Sequence, residues 1–119
     1  MNSQEVLDWA LSLADAVMDC PFEEETIVVV RRRSSRKWFA LLIEVHGKPC
    51  VNLKCEPARA DLYRRVYRSV QPGWHMNKTH WNTVELGGDV PDEELCDMIR
   101  HSYELVGPKH SATKTAHDG

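Results

Sequence analysis

The fold is decided by three short segments near the end of the chain: KTHWNTVEL at 78–86, VPDEEL at 90–95 and HSYELV at 101–106. The first reads as a polar entry into a strand that begins at Trp81 and is closed by Gly87-Gly88. The other two predict one helix from about Pro91 to Val106, because apolar residues recur there every three or four positions. A strand followed by an amphipathic helix predicts a sheet with that helix packed on it. The predicted buried side of the helix consists of Leu95, Met98, Ile99, Ser102 and Val106.

A first helix is predicted at the N-terminus. Asn2 followed by Glu5 three residues later is typical of a capping box. The helix is expected to end at Cys20-Pro21, because the residue before a proline disfavours helical backbone. Apolar residues at helical spacing are expected to form its buried face: Val6, Trp9, Ala10, Leu13, Ala14 and Val17.

Three strands are predicted between this helix and residue 55. The β-branched run from Thr26 to Val30 favours the first. The second, from Trp38 to Val45, is apolar on both faces and is expected to be the central, most buried strand of the sheet. The third is predicted between residues 50 and 55, where alternate side chains are expected to point to opposite faces. Turns at 31–36 and 46–48 are expected to join the three strands. Turns of this length favour antiparallel pairing.

A middle helix is expected from Pro57 to about Tyr67, since proline suits the first helical turn. Its apolar stripe would be Ala58, Leu62 and Val66, and the stretch 71–79 is expected to be a loop. The resulting order, α-β-β-β-α-β-α, predicts an α+β fold: one antiparallel sheet with N-terminal, middle and C-terminal helices packed on it. We assign residues 1–107 to a single domain and 108–119 to a disordered tail.

Five short motifs make the chain resemble the MmcQ/YjbR family over roughly residues 3–107. They are Lys78-x-His80-Trp81, SYELV at 102–106, KWFA at 37–40, VNLKC at 51–55 and QPG at 71–73. The resemblance implies an α+β architecture of the CyaY-like or secretion-chaperone-like kind. It also implies the nucleic-acid-binding role proposed for that family, in which two turns act as a double wing.

The composition is that of a globular protein, with 42% apolar and 28% charged residues. No stretch is long and apolar enough for a membrane helix and no secretory signal is visible, so we expect a cytoplasmic protein without membrane contact. The four cysteines, Cys20, Cys50, Cys55 and Cys96, match no zinc-binding spacing and are expected to stay reduced. We predict no cofactor.

The net charge is only −3, but positive and negative residues are concentrated in different parts of the chain. Residues 31–78 contain twelve Lys and Arg against three acids, whereas residues 1–30 contain seven acids and no base. The acidic residues between Asp15 and Glu25 are expected to be solvated. Such segregation favours an oriented electrostatic surface.

The basic residues of this middle segment are the candidate phosphate contacts. The turn RRRSSRK at 31–37 would be one wing, and the 46–48 turn or the 71–78 loop the other. The alternative is a set of solvated charges, with Asp61 pairing Arg64 or Arg65 along the middle helix. The candidate nucleic-acid-binding residues are Arg31, Arg32, Arg33, Arg36, Lys37, Lys48, Arg64, Arg65, Arg68 and Lys78.

A second candidate is the loop bracketed by Trp74, His75, His80 and Trp81. Two histidines five residues apart could approach a metal or act as acid and base. However, no third ligand stands at a recognisable spacing and no nucleophile is paired with them. We therefore predict no catalytic or metal site and keep this loop as a candidate small-ligand site.

The sequence thus favours a small, non-enzymatic, monomeric protein that binds DNA weakly and in a salt-dependent way through basic hairpin turns. The alternative is a protein-interaction module without nucleic-acid binding. Salt-dependent retention on DNA would distinguish the two.

Overall fold

A six-stranded antiparallel sheet with three helices forms the fold in the computed structural model, which describes residues 1–23 and 26–108. The predicted α+β class is confirmed. The predicted tail lies outside the described residues except for Pro108. In chain order the elements are α1 (Ser3–Leu11), β1 (Ala16–Asp19), β2 (Val28–Arg32), β3 (Trp38–Val45), β4 (Lys48–Lys54), α2 (Pro57–Val66), β5 (Val70–Pro72), β6 (Trp81–Glu85) and α3 (Asp92–Leu105).

The strands lie in the order β1-β2-β3-β4-β6-β5, and each neighbouring pair is antiparallel. Facing residues of antiparallel strands point to the same side of a sheet. One such row crosses five strands and consists of Val29, Leu41, Asn52, Thr83 and Gln71. This row marks the face of the sheet opposite the main core, which we call the open face.

The main core lies between the other face of the sheet and helices α1 and α3. Phe39 and Leu42 of β3 pack there with Ile99 and Val106. The predicted buried side of the last helix is confirmed, since Leu95, Met98, Ile99, Ser102 and Val106 are all buried. The capping box of Asn2 and Glu5 is also confirmed. Among the described helices, none has the length and apolar character needed to span a membrane.

The first helix is shorter than predicted. It ends at Leu11, and the residues expected to continue it turn at Asp15, whose φ is +70°, and enter β1. Val17 therefore belongs to a strand and pairs with Arg31 of β2. Helical spacing up to residue 17 was a misleading pattern here, because pairing with β2 satisfies the backbone of 16–19 instead.

The prediction also missed the strand β5, whose residues were assigned in part to the 71–79 loop. It has only three residues and ends in Pro72, which cannot donate a ladder hydrogen bond and so suits an edge. Three-residue strands carry too little pattern to be recognised in a sequence. The element order is therefore α-β-β-β-β-α-β-β-α.

The middle helix presents a different face from the one predicted. Leu62 and Val66 are 54% and 58% exposed, while Ala60 is buried and Tyr63 and Arg64 are half-buried. The predicted stripe of Ala58, Leu62 and Val66 was therefore wrong. The helix packs instead through a polar contact, because Asn82 of β6 donates to the Ala60 carbonyl at 3.2 Å and accepts from Arg64 Nε at 2.6 Å.

His101 of α3 contacts the start of α2. Its Nε2 accepts from the backbone N–H of Glu56 at 3.3 Å, and the guanidinium of Arg59 lies 3.1 Å from Nδ1. Both neighbours are donors, and an imidazolium has no acceptor to offer them. Burial and the Arg59 charge lower the pKa of His101 below its usual 6.5, while Glu56 opposes the shift.

We expect the free energy of unfolding to fall as pH decreases below about 6.5, because the unfolded chain binds a proton at His101 more readily than the folded protein. This contribution is fully present above that pH and is lost as pH falls through the folded-state pKa. Chemical denaturation between pH 7.5 and 5, compared with His101→Gln, measures it. Parallel pH profiles for the two proteins would contradict the assignment to His101.

Candidate nucleic-acid interface

The basic turn between β2 and β3 is partly neutralised from within the fold. Arg32 contacts Asp15 at 3.1 Å, lies over the ring of Tyr103 at 3.9 Å from its centroid, and donates to the Tyr103 carbonyl. Arg31 contacts Asp19 at 3.4 Å. These arginines tie β1 and α3 to the hairpin, so Asp15 is not the solvated acid predicted from the sequence, whereas the side chain of the paired Asp19 remains 48% exposed.

The serines of this turn are also engaged internally. Ser34 donates to Asp15 at 2.5 Å, and Ser35 donates to the Val106 carbonyl at 2.5 Å. The hydrogen bond from Ser34, together with Arg32, lowers the pKa of Asp15. Three exposed cations remain, and none of them forms a salt bridge within residues 1–23 and 26–108: Arg33, Arg36 and Lys37.

The 31–37 turn and the 46–48 turn, one of the two pairs of wings expected from the sequence, lie at opposite ends of β3. The 33–37 turn precedes Trp38 and the 46–47 turn follows Val45, so eight residues of β3 separate them. An extended strand of that length covers about 23 Å. By contrast, the 46–48 turn and the 71–78 loop come together, because both border one cavity on the open face.

A buried polar network holds Trp74 on the open face. Asn52 is 1% exposed and donates from Nδ2 to the Trp74 carbonyl at 3.1 Å. The Thr83 hydroxyl donates to Asn52 Oδ1 at 2.5 Å and accepts from the Trp74 N–H at 2.8 Å. These bonds satisfy the buried side chains of Asn52 and Thr83 and anchor both backbone groups of Trp74.

Gly73 allows the loop to approach the sheet this closely. A Cβ at that position would lie 2.7 Å from Trp81 Cβ and 3.0 Å from the Trp81 carbonyl oxygen. The Gly73 N–H donates to the same carbonyl at 2.9 Å. The loop therefore requires glycine where the chain leaves β5.

The indole of Trp74 is 41% exposed although its backbone is fixed. The rings of His46 and His75 meet it edge to face, with centroids 5.4 and 4.9 Å away. Both histidines have left-handed backbone, with φ of +52° and +59°. Trp74 is thus a rigidly placed aromatic surface that remains open to solvent.

Trp74 separates two cavities of the open face, since it lines both. The first, of about 510 Å³, is lined by three cations, Lys48, Arg68 and Lys78, and by one carboxylate, Glu85. We call it the cationic cavity. The second, of about 650 Å³, is mainly apolar, and its lining includes Phe22, Trp38, Leu41, Ile43 and Met76. We call it the apolar cavity.

The side chains of two cations of the cationic cavity have partners within the fold, and the third cation is held by its backbone. Lys78 Nζ donates to the Gly73 carbonyl at 2.8 Å, and Lys48 lies 3.8 Å from Glu85. The backbone N–H of Arg68 donates to Asp89 at 2.8 Å. Hydrogen bonds from Ser69 and from the N–H groups of Ser69 and Arg68 lower the pKa of Asp89 to about 2, so this carboxylate is ionised at neutral pH.

The middle helix contributes fewer free charges than the sequence predicted. Arg64 binds the Asn82 side chain and the carbonyls of Lys78 and Trp81, which makes it a structural residue. Arg65 is exposed and pairs with Asp61 at 2.8 Å, which is the helix pairing given above as the alternative to phosphate contact. Arg68 alone reaches the cationic cavity.

The candidate ligand loop is divided by the structure. Trp74 and His75 stand on the open face, whereas Trp81 is buried beneath them with Val29 and Leu41. His80 is exposed and contributes its carbonyl to the N–H of Cys55 at 2.8 Å. Among the residues the structure describes, no group of three His, Cys, Asp or Glu could hold a metal ion.

Sequence reasoning missed Asn52 and Thr83 as residues of this site, and it included His46 and Gln71 only as members of the 46–48 turn and the 71–78 loop. One signal in the sequence could have identified Asn52. Its polar amide lies between Val51 and Leu53, and an amide in a central strand needs a buried partner. Thr83 is such a partner, since it faces Asn52 across β4 and β6.

Comparison with known proteins decides the family. The YjbR family model matches residues 11–105. The chain belongs to the YjbR family. YjbR of Escherichia coli (strain K12), an uncharacterised protein, is 41% identical over 66 residues, which cover 56% of this chain and 56% of that protein. YyaQ of Bacillus subtilis (strain 168), also uncharacterised, is 32% identical over 99 residues, covering 74% of this chain and 83% of YyaQ.

Solved structures of the family share the fold. A protein from Pseudomonas syringae superimposes with a TM-score of 0.81 at 30% identity, over 90% of this chain and 100% of that one. A Deinococcus radiodurans protein gives 0.76 at 30% identity, over 88% of this chain and 78% of its own. The aligned part spans about half of the E. coli relatives, 57% of YbdF (strain O157:H7) and 56% of YjbR. The predicted family is confirmed.

Proposed function

We propose that this YjbR-family protein is a non-enzymatic nucleic-acid-binding protein whose contact surface is the open face around Trp74. The observation that supports the proposal is the exposed side chain of Trp74, on an anchored backbone, beside the cations Lys48, Arg68 and Lys78. Proteins that bind single strands combine a cationic groove with aromatic side chains on which bases stack. Both parts are present within one cavity here.

The geometry favours single strands over duplex DNA. A duplex hides the faces of its bases, so it would gain from the cations but not from Trp74. The exposed Arg33, Arg36 and Lys37 lie at the far end of β3 and can contact phosphates only of a longer strand. This replaces the double wing predicted from the sequence with one principal site and one distant basic turn.

We expect weak, salt-dependent binding of a single strand. Three phosphate contacts on single-stranded DNA give a slope of log affinity against log salt near −2, about −0.7 for each contact. Trp74→Ala should weaken binding about tenfold or more, since one stacked base contributes roughly 1–3 kcal/mol. Fluorescence anisotropy of a labelled oligothymidine of about eight nucleotides, in salt from about 50 to 200 mM, measures both.

Arg65→Gln is the matched control, because it removes one positive charge from α2 outside the cavity. Its affinity should stay within about twofold of the wild type, since exposed ion pairs contribute little. The joint replacement of Arg33, Arg36 and Lys37 by Ala measures separately how much the basic turn contributes to the affinity. No binding by the wild type at about 50 mM salt, or full binding by Trp74→Ala, would refute the proposal.

The apolar cavity supports a second candidate function, a protein-interaction module. Phe22 is exposed and meets Trp38 edge to face at 5.8 Å, beside Ile43 and Met76. Exposed aromatic and Met side chains are common at protein interfaces. This function becomes the better interpretation if no form of nucleic acid binds.

A further inference from the structure

The cationic cavity has the dimensions of a small-molecule site. Its volume of about 510 Å³ lies inside the range of roughly 300–1,000 Å³ that is usual for ligand pockets. The β3–β4 turn contributes His46 and Lys48, β5 contributes Gln71 and Pro72, and the following loop contributes Trp74 and Lys78. Parts of the chain distant in sequence thus enclose one space.

Charge in the cavity favours an anion. Three cations and one carboxylate line it, which gives a net charge of +2 with His46 neutral. Glu85 lies 3.8 Å from Lys48 and so occupies that cation in part. Within the described residues, Arg68 forms no salt bridge and Lys78 holds only a carbonyl, so both ammonium and guanidinium groups can still bind phosphate oxygens.

The cavity also has an aromatic lining residue, Trp74, whose backbone is held in place. Trp74 is anchored by Asn52 and Thr83, so no ordering of its backbone is needed when a ligand binds. The polar groups of Ser69 and Thr83 that line the cavity are already used in internal hydrogen bonds. The remaining interactions are therefore ionic contacts with the cations and stacking on Trp74, with few groups to select a particular base.

We propose that the cationic cavity binds a single nucleotide unit, with its phosphate at Arg68 and Lys78 and its base against Trp74. The unit is either a free nucleoside monophosphate or the 5′-phosphorylated end of a strand, which share this chemistry. A terminal phosphate carries close to two negative charges and matches the cavity's net charge. Binding of a strand end rests on the function proposed above, whereas binding of a free nucleotide does not.

Isothermal titration calorimetry with AMP, adenosine and inorganic phosphate tests this directly. AMP should bind at least tenfold more tightly than either of its parts. Arg68→Gln should weaken AMP about tenfold, the loss expected for one charge-assisted hydrogen bond, and leave adenosine unchanged. Trp74→Ala should weaken both AMP and adenosine, and Arg65→Gln should change neither. Thermal unfolding of each variant shows that it is folded.

Equal binding of AMP and phosphate, equal binding of AMP and adenosine, or an Arg68→Gln variant that binds AMP normally would each overturn the inference. A 5′-phosphorylated oligothymidine and the same strand without phosphate then separate the two sources. Tighter binding of the phosphorylated strand assigns the cavity to strand ends, and equal binding assigns it to free nucleotides. If strands bind with the expected salt slope but AMP does not bind, the inference fails while the proposed function stands.

Discussion

Replacing Asn52 by alanine should lower the free energy of unfolding by about 2–4 kcal/mol and should also weaken single-strand binding as strongly as Trp74→Ala. The amide is 1% exposed and bridges the Thr83 hydroxyl and the Trp74 carbonyl. Its removal leaves the buried Thr83 hydroxyl without an acceptor and the Trp74 carbonyl without a donor, and it opens a small cavity; such losses cost about 1–3 kcal/mol each. Urea denaturation and the oligothymidine titration measure the two losses.

Asn77→Ala is the matched control in the same loop. Asn77 is exposed and its side chain accepts one bond, from the Thr79 N–H at 2.9 Å. We expect this change to cost no more than about 0.5 kcal/mol and to leave binding intact. Asn52→Ala with wild-type stability, or with wild-type affinity, would show that the network does not hold Trp74 in place.

Replacing Leu42 or Leu41 by alanine should destabilise the protein by about 2–5 kcal/mol. The two side chains are 6% and 4% exposed and point to opposite faces of β3. Leu42 packs in the main core, whereas Leu41 packs in the smaller cluster with Val29 and Trp81. We expect the larger loss for Leu42, since a larger core leaves a less collapsible cavity.

Leu62→Ala removes the same atoms from a half-exposed site on α2. It should change the free energy of unfolding by no more than about 0.5 kcal/mol. Denaturation curves of the three variants, compared at equal slope, give the differences. Three equal losses would mean that the strand is not the centre of the core.

The sequence predicted the elements whose own pattern determines them. Trp38–Val45 is apolar on both faces and lies at the centre of the sheet, and the last helix buries the residues that its spacing indicated. The capping box formed by Asn2 and Glu5 is a local interaction that three residues suffice to specify. Local pattern and tertiary packing agree in these places.

The predictions were wrong where contacts between residues distant in the sequence determine the structure. Val17 fits a helical stripe, yet its backbone pairs with Arg31 of β2. Arg32 and Arg64 are cationic in sequence, yet each is held by partners from remote parts of the chain, Tyr103 in one case and Asn82 in the other. Cations with and without partners in the fold look alike in a sequence, so sequence alone does not separate Arg32 and Arg64 from the exposed members of the basic set.

The two edge strands of the sheet bear on how the protein meets other molecules. β1 has four residues and β5 has three, and β5 ends in Pro72. Such short edges offer few unpaired N–H and C=O groups, and proline removes one donor more, so an incoming chain gains little by adding itself as a further strand. The short edges thereby shield the protein against edge-to-edge pairing into fibres.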